Sequence, residues 1–166
     1  MLIRHEDPRD DEAIHELTTR AFAPMPFSNG SEAAIVRGLR NDGDLTISLV
    51  ADDDGEVVGH IAFSPVTIDG RHDGWFGLGP ISVEPVRQRQ GIGRALIEAG
   101  LALLRERDAA GCALIGSPDL YARFGFKSDG RVTYGQLEPR YIQWLVFAGQ
   151  PPVGELRYAP AFPAGG

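Results

Sequence analysis

The chain has 166 residues, of which 43% are hydrophobic and 23% charged, values typical of one globular domain with a buried core. Its formal net charge of −7 disfavours binding to nucleic acid or to an anionic membrane. No apolar run reaches about 18 residues, and the charged start Met1–Glu6 is unlike a signal peptide. We therefore expect a single domain over residues 1–166 and a cytoplasmic location.

The first half of the chain predicts the order strand, helix, helix and three strands. Asp7-Pro8 is a helix-start signal, and Asp53-Asp54-Gly55-Glu56 is a hairpin signal of the Asp-Gly kind. Short turns between the three strands indicate an antiparallel first half of a mixed sheet. The predicted elements are a strand at Met1–His5, a helix after Pro8, a helix from Ser31 to Asn41, and strands at Leu45–Asp52, Val57–Ile68 and Trp75–Val83.

A Gly-rich turn joins the third of these strands to a helix. The turn reads Gln88-x-x-Gly91-x-Gly93, and the helix carries an apolar stripe at Ile97, Leu101 and Leu104. Free backbone amides and the helix dipole at such a start favour a phosphate-bearing ligand. The Gly-Lys-Ser/Thr of a P-loop is absent, and Leu96 stands where a dinucleotide fingerprint needs a third glycine.

The second half continues with a short buried strand at Cys112–Ile115, which must run parallel to the strand before the helix. The only cysteine, Cys112, excludes an internal disulfide, and we interpret it as a core residue rather than a nucleophile. No side-chain cluster has metal-ligand spacing, so no metal is expected. Further strands are predicted at Tyr141–Phe147 and Gly154–Tyr158, followed by a frayed tail.

Two motifs together resemble the GNAT superfamily of acyl-CoA-dependent N-acyltransferases. The first is Gln88-x-x-Gly91-x-Gly93, and the second is Tyr121-x-x-x-Gly125-Phe126, which follows the second parallel strand. A Gly-x-Pro before Tyr121 is most similar to the YhbS-like branch. The resemblance implies an α/β fold with a mixed, twisted sheet of about seven strands flanked by about four helices. It also implies transfer of an acetyl group from acetyl-CoA to a primary amine by direct attack in a ternary complex.

The resemblance implies where the donor binds. Its pyrophosphate would lie on the backbone amides of the turn, and the main chain of the preceding strand would contact the acetyl carbonyl. In the family this strand bulges and separates from its parallel neighbour, and Gly79-Pro80 fits such an interruption. The donor-binding residues expected are Ile81, Ser82, Val83, Gln88, Arg89, Gln90, Gly91, Ile92, Gly93 and Arg94.

The sequence offers one candidate for the general acid and two for the general base. Tyr121 is the expected general acid, because a phenol and a thiol have similar ordinary pKa values. The base is left open between Glu84, at the end of the central strand, and His60, on the preceding strand. Gly116-Ser117 departs from the family, where many members have an Asn that contacts the donor.

Two rival functions stay open at this point. One is a catalytically silent CoA-binding sensor or assembly module, and the other is a different nucleotide-binding α/β protein. The amine acceptor, a small molecule or a protein, is not readable from the sequence, and a homodimer is possible.

Overall fold

The structure, a computed structural model, describes residues 1–163. Over this range the chain forms nine strands and four α-helices, with short 3-10 turns between them. The elements are β1 Leu2–His5, α1 Asp11–Phe22, α2 Glu32–Asp42, β2 Ile47–Asp53, β3 Glu56–Pro65, β4 Thr67–Ile68, β5 Trp75–Val83, α3 Ile92–Glu106, β6 Gly111–Ile115, α4 Pro118–Tyr121, β7 Val132–Thr133, β8 Ile142–Val146 and β9 Gly154–Arg157.

Six strands form the main sheet in the order β1-β2-β3-β5-β6-β8. Only β5 and β6 pair in parallel, and the other neighbours are antiparallel. The parallel pair arises because α3 carries the chain back to the starting end of the sheet before β6 begins. The mixed sheet with an antiparallel first half is therefore confirmed.

A second, three-stranded sheet has the order β4-β9-β7 and was not predicted as a separate unit. The single strand expected at Val57–Ile68 breaks at Pro65, and Thr67–Ile68 then pairs with β9. Proline cannot donate to a strand ladder, so the chain leaves the main sheet there. Two-residue strands such as β4 and β7 carry no periodicity that a sequence pattern could reveal.

The helices cover opposite faces of the main sheet. Strand alternation sends one set of side chains, including Phe63 and Leu114, into a core with α3. The other set, including Val50, packs with α1 and α2. The face that carries α1 and α2 is called here the α1/α2 face, and the opposite one the α3 face.

The frayed tail predicted from Pro160 onward is wrong for residues 160–162. Ala159 is buried, the Phe162 ring lies 4.5 Å from that of Tyr158, and both residues pack near α2. This apolar contact anchors the segment on the α1/α2 face. The final glycines, also part of the predicted tail, lie outside the described residues.

Candidate active site

The parallel strands β5 and β6 separate part of the way along the sheet. They pair only at Trp75–Gly77 with Gly111–Ala113. Beyond that point β5 continues to Val83 on β3, and β6 continues to Ile115 on β8. The result is an opening between two strands in the middle of the sheet, bordered by main-chain groups that no strand partner occupies.

A bulge in β5 accompanies the opening. Ile61 pairs with Ile81, but Phe63 pairs with Leu78, so β5 has one more residue than β3 in this interval. The extra residue falls at Gly79-Pro80, a cis peptide, and Pro80 has no amide proton to offer a neighbour. A bulge bends the strand that carries it, which fits the divergence of β5 from β6.

The turn before α3 lies beside the end of β5. Gly91 is the residue before the first helical turn and takes a left-handed φ of 84°, and Arg89 also has a positive φ of 65°. Within residues 1–163, none of the amides of Gly91, Ile92, Gly93 and Arg94 donates a hydrogen bond. These free donors add to the positive end of the helix dipole, which makes the turn an anion-binding site.

Side chains of the loop hold it in place rather than fill it. The Arg87 guanidinium donates to Asp53 at 2.7 Å, which ties the loop to the β2–β3 hairpin. Gln88 Nε2 donates to the Val83 carbonyl at 3.3 Å. Arg94 pairs with Glu98 along the helix at 2.8 Å. The expected donor-binding residues 88–94 thus form one turn next to the β5–β6 opening, with the side chain of Ile92 buried in the core.

The three expected residues of β5 divide between the two faces of the sheet. Ile81 and Val83 pack against the core under α3, whereas Ser82 is buried on the α1/α2 face. There its hydroxyl donates to Thr18 Oγ1 at 3.3 Å. With their side chains turned to the two faces, these residues border the opening with their main chain.

Tyr121 lies in the core of the α3 face. It is buried at the end of α4, and its ring meets Phe126 edge-on at 6.1 Å between centroids. Gly125, with a φ of 95°, closes the turn that brings Phe126 back. Burial raises the pKa of Tyr121, so the phenol stays protonated at neutral pH.

Gly116 explains the departure from the family pattern. A Cβ placed on this residue would lie 2.6 Å from Cε2 of Tyr121, which leaves no room for any side chain. Its carbonyl accepts a hydrogen bond from the buried Gln143 amide at 2.9 Å. The space that an Asn would need here is taken by the tyrosine ring.

Glu84 follows β5 directly and is tied to α1. Arg20 grips its carboxylate with two hydrogen bonds, of 2.6 and 3.2 Å. The Glu84 carboxylate keeps 15% of its side-chain surface exposed. Sequence analysis missed Arg20, because a partner 64 residues away leaves no local pattern.

His60 lies on the α1/α2 face and is fully buried. Its backbone pairs with Ser82, and its Nε2 lies 2.8 Å from Ser48 Oγ. Burial lowers the pKa of His60 to about 4, so the ring is neutral at physiological pH. Nδ1 has no hydrogen-bond partner in the described part of the chain.

Cys112 is completely buried, and burial raises the pKa of its thiol far above the ordinary value. A thiol in this state is not a nucleophile.

Over residues 1–163 the structure brings together no group of three acidic, histidine or cysteine side chains able to hold a metal. None of the helices in that range is long and apolar enough to cross a membrane.

A mixed sheet that opens beside a helix start with free amides is the architecture of acyl-CoA-dependent N-acyltransferases. In agreement, the acetyltransferase (GNAT) domain family matches residues 44–128. The chain belongs to the GNAT family.

The relatives it matches include the N-acetyltransferase YhbS of Escherichia coli strain K12. The two are 43% identical over 128 residues, which cover 76% of this chain and 74% of that protein. A GNAT family acetyltransferase from Brucella melitensis, solved with acetyl-CoA, superposes with a TM-score of 0.88 at 48% identity and covers 98% of this chain and 97% of its own. YhbS from Escherichia coli, solved with CoA, superposes with a TM-score of 0.85 at 36% identity. The match covers 96% of this chain and 90% of that one.

Proposed function

We propose that this protein transfers the acetyl group of acetyl-CoA to a primary amine, without a covalent enzyme intermediate. The observation that carries the proposal is that four free amides at the start of α3 lie beside the opening between β5 and β6. The acetyl-CoA and CoA complexes of the two similar structures support the choice of donor. The acceptor is proposed by chemical class only.

The donor is held at two places. Its pyrophosphate accepts hydrogen bonds from the amides of Gly91 to Arg94, where the helix dipole favours negative charge. Its pantetheine arm enters the opening, and main-chain amides of β5 near Ser82 hydrogen-bond the acetyl carbonyl. As the amine attacks, negative charge grows on that oxygen, and fixed amides in a dry site stabilise it without reorganising.

Proton transfers complete the reaction. The nitrogen–carbon bond forms while the carbon–sulfur bond breaks, the amine loses one proton, and the departing sulfur gains one. The buried, protonated Tyr121 is proposed to hydrogen-bond the sulfur and supply its proton. Cys112 takes no part, because its thiol is buried and protonated.

Of the two base candidates, Glu84 is the one we propose. Its carboxylate is partly exposed at the end of β5, where an amine or a bridging water can reach it, and Arg20 fixes its orientation. His60 has no exposed surface, and its lowered pKa makes it a weak proton acceptor. The cytoplasmic location, the single domain and the homodimer remain predictions.

The first experiment separates an enzyme from a silent CoA-binding module. An amine library is screened with acetyl-CoA while free thiol is monitored, and CoA, ATP and NAD are titrated by calorimetry. Tyr121→Phe should lower turnover on the best amine about 10²-fold or more and leave the dissociation constant of CoA unchanged. Absence of heat with CoA would remove the proposal, whereas CoA binding with no amine acetylated would favour the silent module.

A further inference from the structure

Tyr158 lies where the opening between β5 and β6 begins. Its ring packs against Gly77, and a Cβ placed on Gly77 would lie 2.8 Å from Cε1 and 3.3 Å from Cδ1 of the tyrosine. Gly77 is the last residue of β5 that pairs with β6. A glycine is needed at this position because the aromatic ring takes the space of any side chain.

Tyr158 and Tyr121 approach the opening from opposite faces of the sheet. Tyr121 belongs to the core under α3, together with Cys112 and Leu114. Tyr158 packs with Val66 and Ala113 on the other side of the same strands. Side chains alternate along a strand, so Cys112 and Leu114 of β6 point toward the face of Tyr121, and Ala113 between them points toward the face of Tyr158. Since the proposed pyrophosphate site lies on the α3 face, Tyr158 lies on the face that is left for the acceptor.

The position of the Tyr158 ring is fixed by its aromatic neighbours. The Tyr134 ring meets it edge-on at 5.9 Å, and the Phe162 ring lies 4.5 Å away on the segment that follows β9. Such contacts restrict the phenol to one orientation without consuming its hydroxyl. A preorganised group of this kind suits the stabilisation of a transition state.

The surroundings of the hydroxyl indicate a hydrogen-bond donor rather than a base. Burial raises the pKa of Tyr158 far above its ordinary value, and the backbone of Ile115 only partly opposes the rise of this pKa. Ile115 is the last residue of β6, on the separated part of the strand. A phenol with so high a pKa keeps its proton at neutral pH and can donate it in a hydrogen bond.

We propose that Tyr158 is a catalytic residue whose hydroxyl donates a hydrogen bond to the acetyl carbonyl oxygen from the acceptor side of the opening. The inference rests on the proposed function, and it adds a side-chain hydrogen-bond donor to the main-chain amides of β5 that bind the same oxygen. No bond forms to the tyrosine. The oxygen gains negative charge as the amine attacks and loses it as the carbon–sulfur bond breaks, and the phenol keeps its proton throughout.

The test uses Tyr158→Phe, which keeps the ring against Gly77, with Tyr134→Phe as the matched control in the same aromatic group. Tyr158→Phe should lower kcat about 10²-fold, as removal of one oxyanion donor does, with the dissociation constant of CoA unchanged. Tyr134→Phe should retain kcat within about threefold, since its hydroxyl is not part of the proposed site. Thermal unfolding of both variants checks that the fold is preserved.

A second measurement isolates the carbonyl contact. The affinities of S-acetonyl-CoA, which carries a ketone, and S-propyl-CoA, which has none, are compared by calorimetry. The wild type and Tyr134→Phe should prefer the ketone, and Tyr158→Phe should reduce that preference about fivefold, the value of one net hydrogen bond, while the main-chain donors of β5 retain the rest. An unchanged preference in Tyr158→Phe, or an unchanged kcat, would overturn the assignment of Tyr158 alone. Failure of the wild type to bind either analogue would instead remove the proposed function.

Discussion

Glu6, Ser48 and His60 form a hydrogen-bond chain beneath α2. The Ser48 hydroxyl donates to Glu6 Oε1 at 2.5 Å, so it accepts from Nε2 of His60 at 2.8 Å. This order places the imidazole proton on Nε2. The Glu6 carboxylate is in turn gripped by Arg40 through two contacts of 2.8 Å. A neutral histidine is therefore built into the sheet, and its protonation opposes folding.

The pH dependence of stability follows from this burial. The pKa of His60 is lowered from 6.5 to about 4 in the folded chain, so between these values the unfolded chain binds a proton that the folded chain does not. Stability from this residue is present above pH 6.5 and is lost as the pH falls toward 4. The loss amounts to about 3 kcal/mol at most. His60→Gln should flatten the fall in urea unfolding free energy between pH 6.5 and 4.5.

Ser48→Ala is the control for that measurement. It removes the hydrogen-bond partner of Nε2 but leaves the imidazole buried, so the slope with pH should persist even though the stability is lower throughout. Parallel curves for wild type and His60→Gln over this range would contradict the assignment.

Local elements were predictable because neighbouring residues determine their geometry. The turn at Gly91 and the turn between Tyr121 and Phe126 each need a glycine with a left-handed backbone close to a helix end. Gly91 and Gly125 both adopt that conformation. Contacts between distant parts of the chain were not predictable. The pairing of Arg20 with Glu84 and the packing of Tyr158 on Gly77 join elements whose proximity only the complete sheet creates.

The first turn of α3 gives a variant in which stability and ligand binding should move in opposite directions. A Cβ on Gly93 would make only an ordinary contact with Val83, at 3.6 Å. Gly93→Asp should stabilise the free protein by about 0.5–1 kcal/mol, because a carboxylate suits a helix start and glycine is a poor helix former. The same charge repels a pyrophosphate, so CoA affinity should fall at least tenfold. Thermal unfolding without ligand and calorimetry with CoA measure the two effects.

Ala102→Asp is the matched control for the added charge. Ala102 is exposed on the same helix, about 14 Å along the axis from Gly93. This variant should bind CoA as the wild type does. If Gly93→Asp also bound CoA normally, the pyrophosphate would not lie on the start of α3.

At the scale of the whole molecule, the sheet separates two tasks. The α3 face carries the free amides of the proposed donor site, and the α1/α2 face carries Arg20 with its partner Glu84, the proposed base. In the proposed mechanism, the opening between β5 and β6 connects the two faces. The donor turn could be predicted from the family resemblance, but this division between the faces could not, because it depends on the complete sheet.

Sites on opposite faces should respond independently to substitution. Glu84→Gln should lower kcat about 10²-fold at neutral pH, with the rate recovering as rising pH deprotonates the amine in solution, and CoA affinity should not change. Gly93→Asp should act on CoA affinity alone. Because the two positions share no partner, their effects on kcat/KM for acetyl-CoA should multiply in the double variant. Steady-state kinetics of the four proteins over pH 6 to about 9 provide the comparison.

Glu16→Gln provides the control for the lost carboxylate, since Glu16 is exposed on α1 one turn before Arg20. Its kcat and pH profile should match those of the wild type. A Glu84→Gln enzyme with an unchanged profile would exclude Glu84 as the proton acceptor. A double variant whose loss falls well short of the product would mean that the two faces are coupled through the opening, because the donor's arm and the attacking amine would then share a rate-limiting contact.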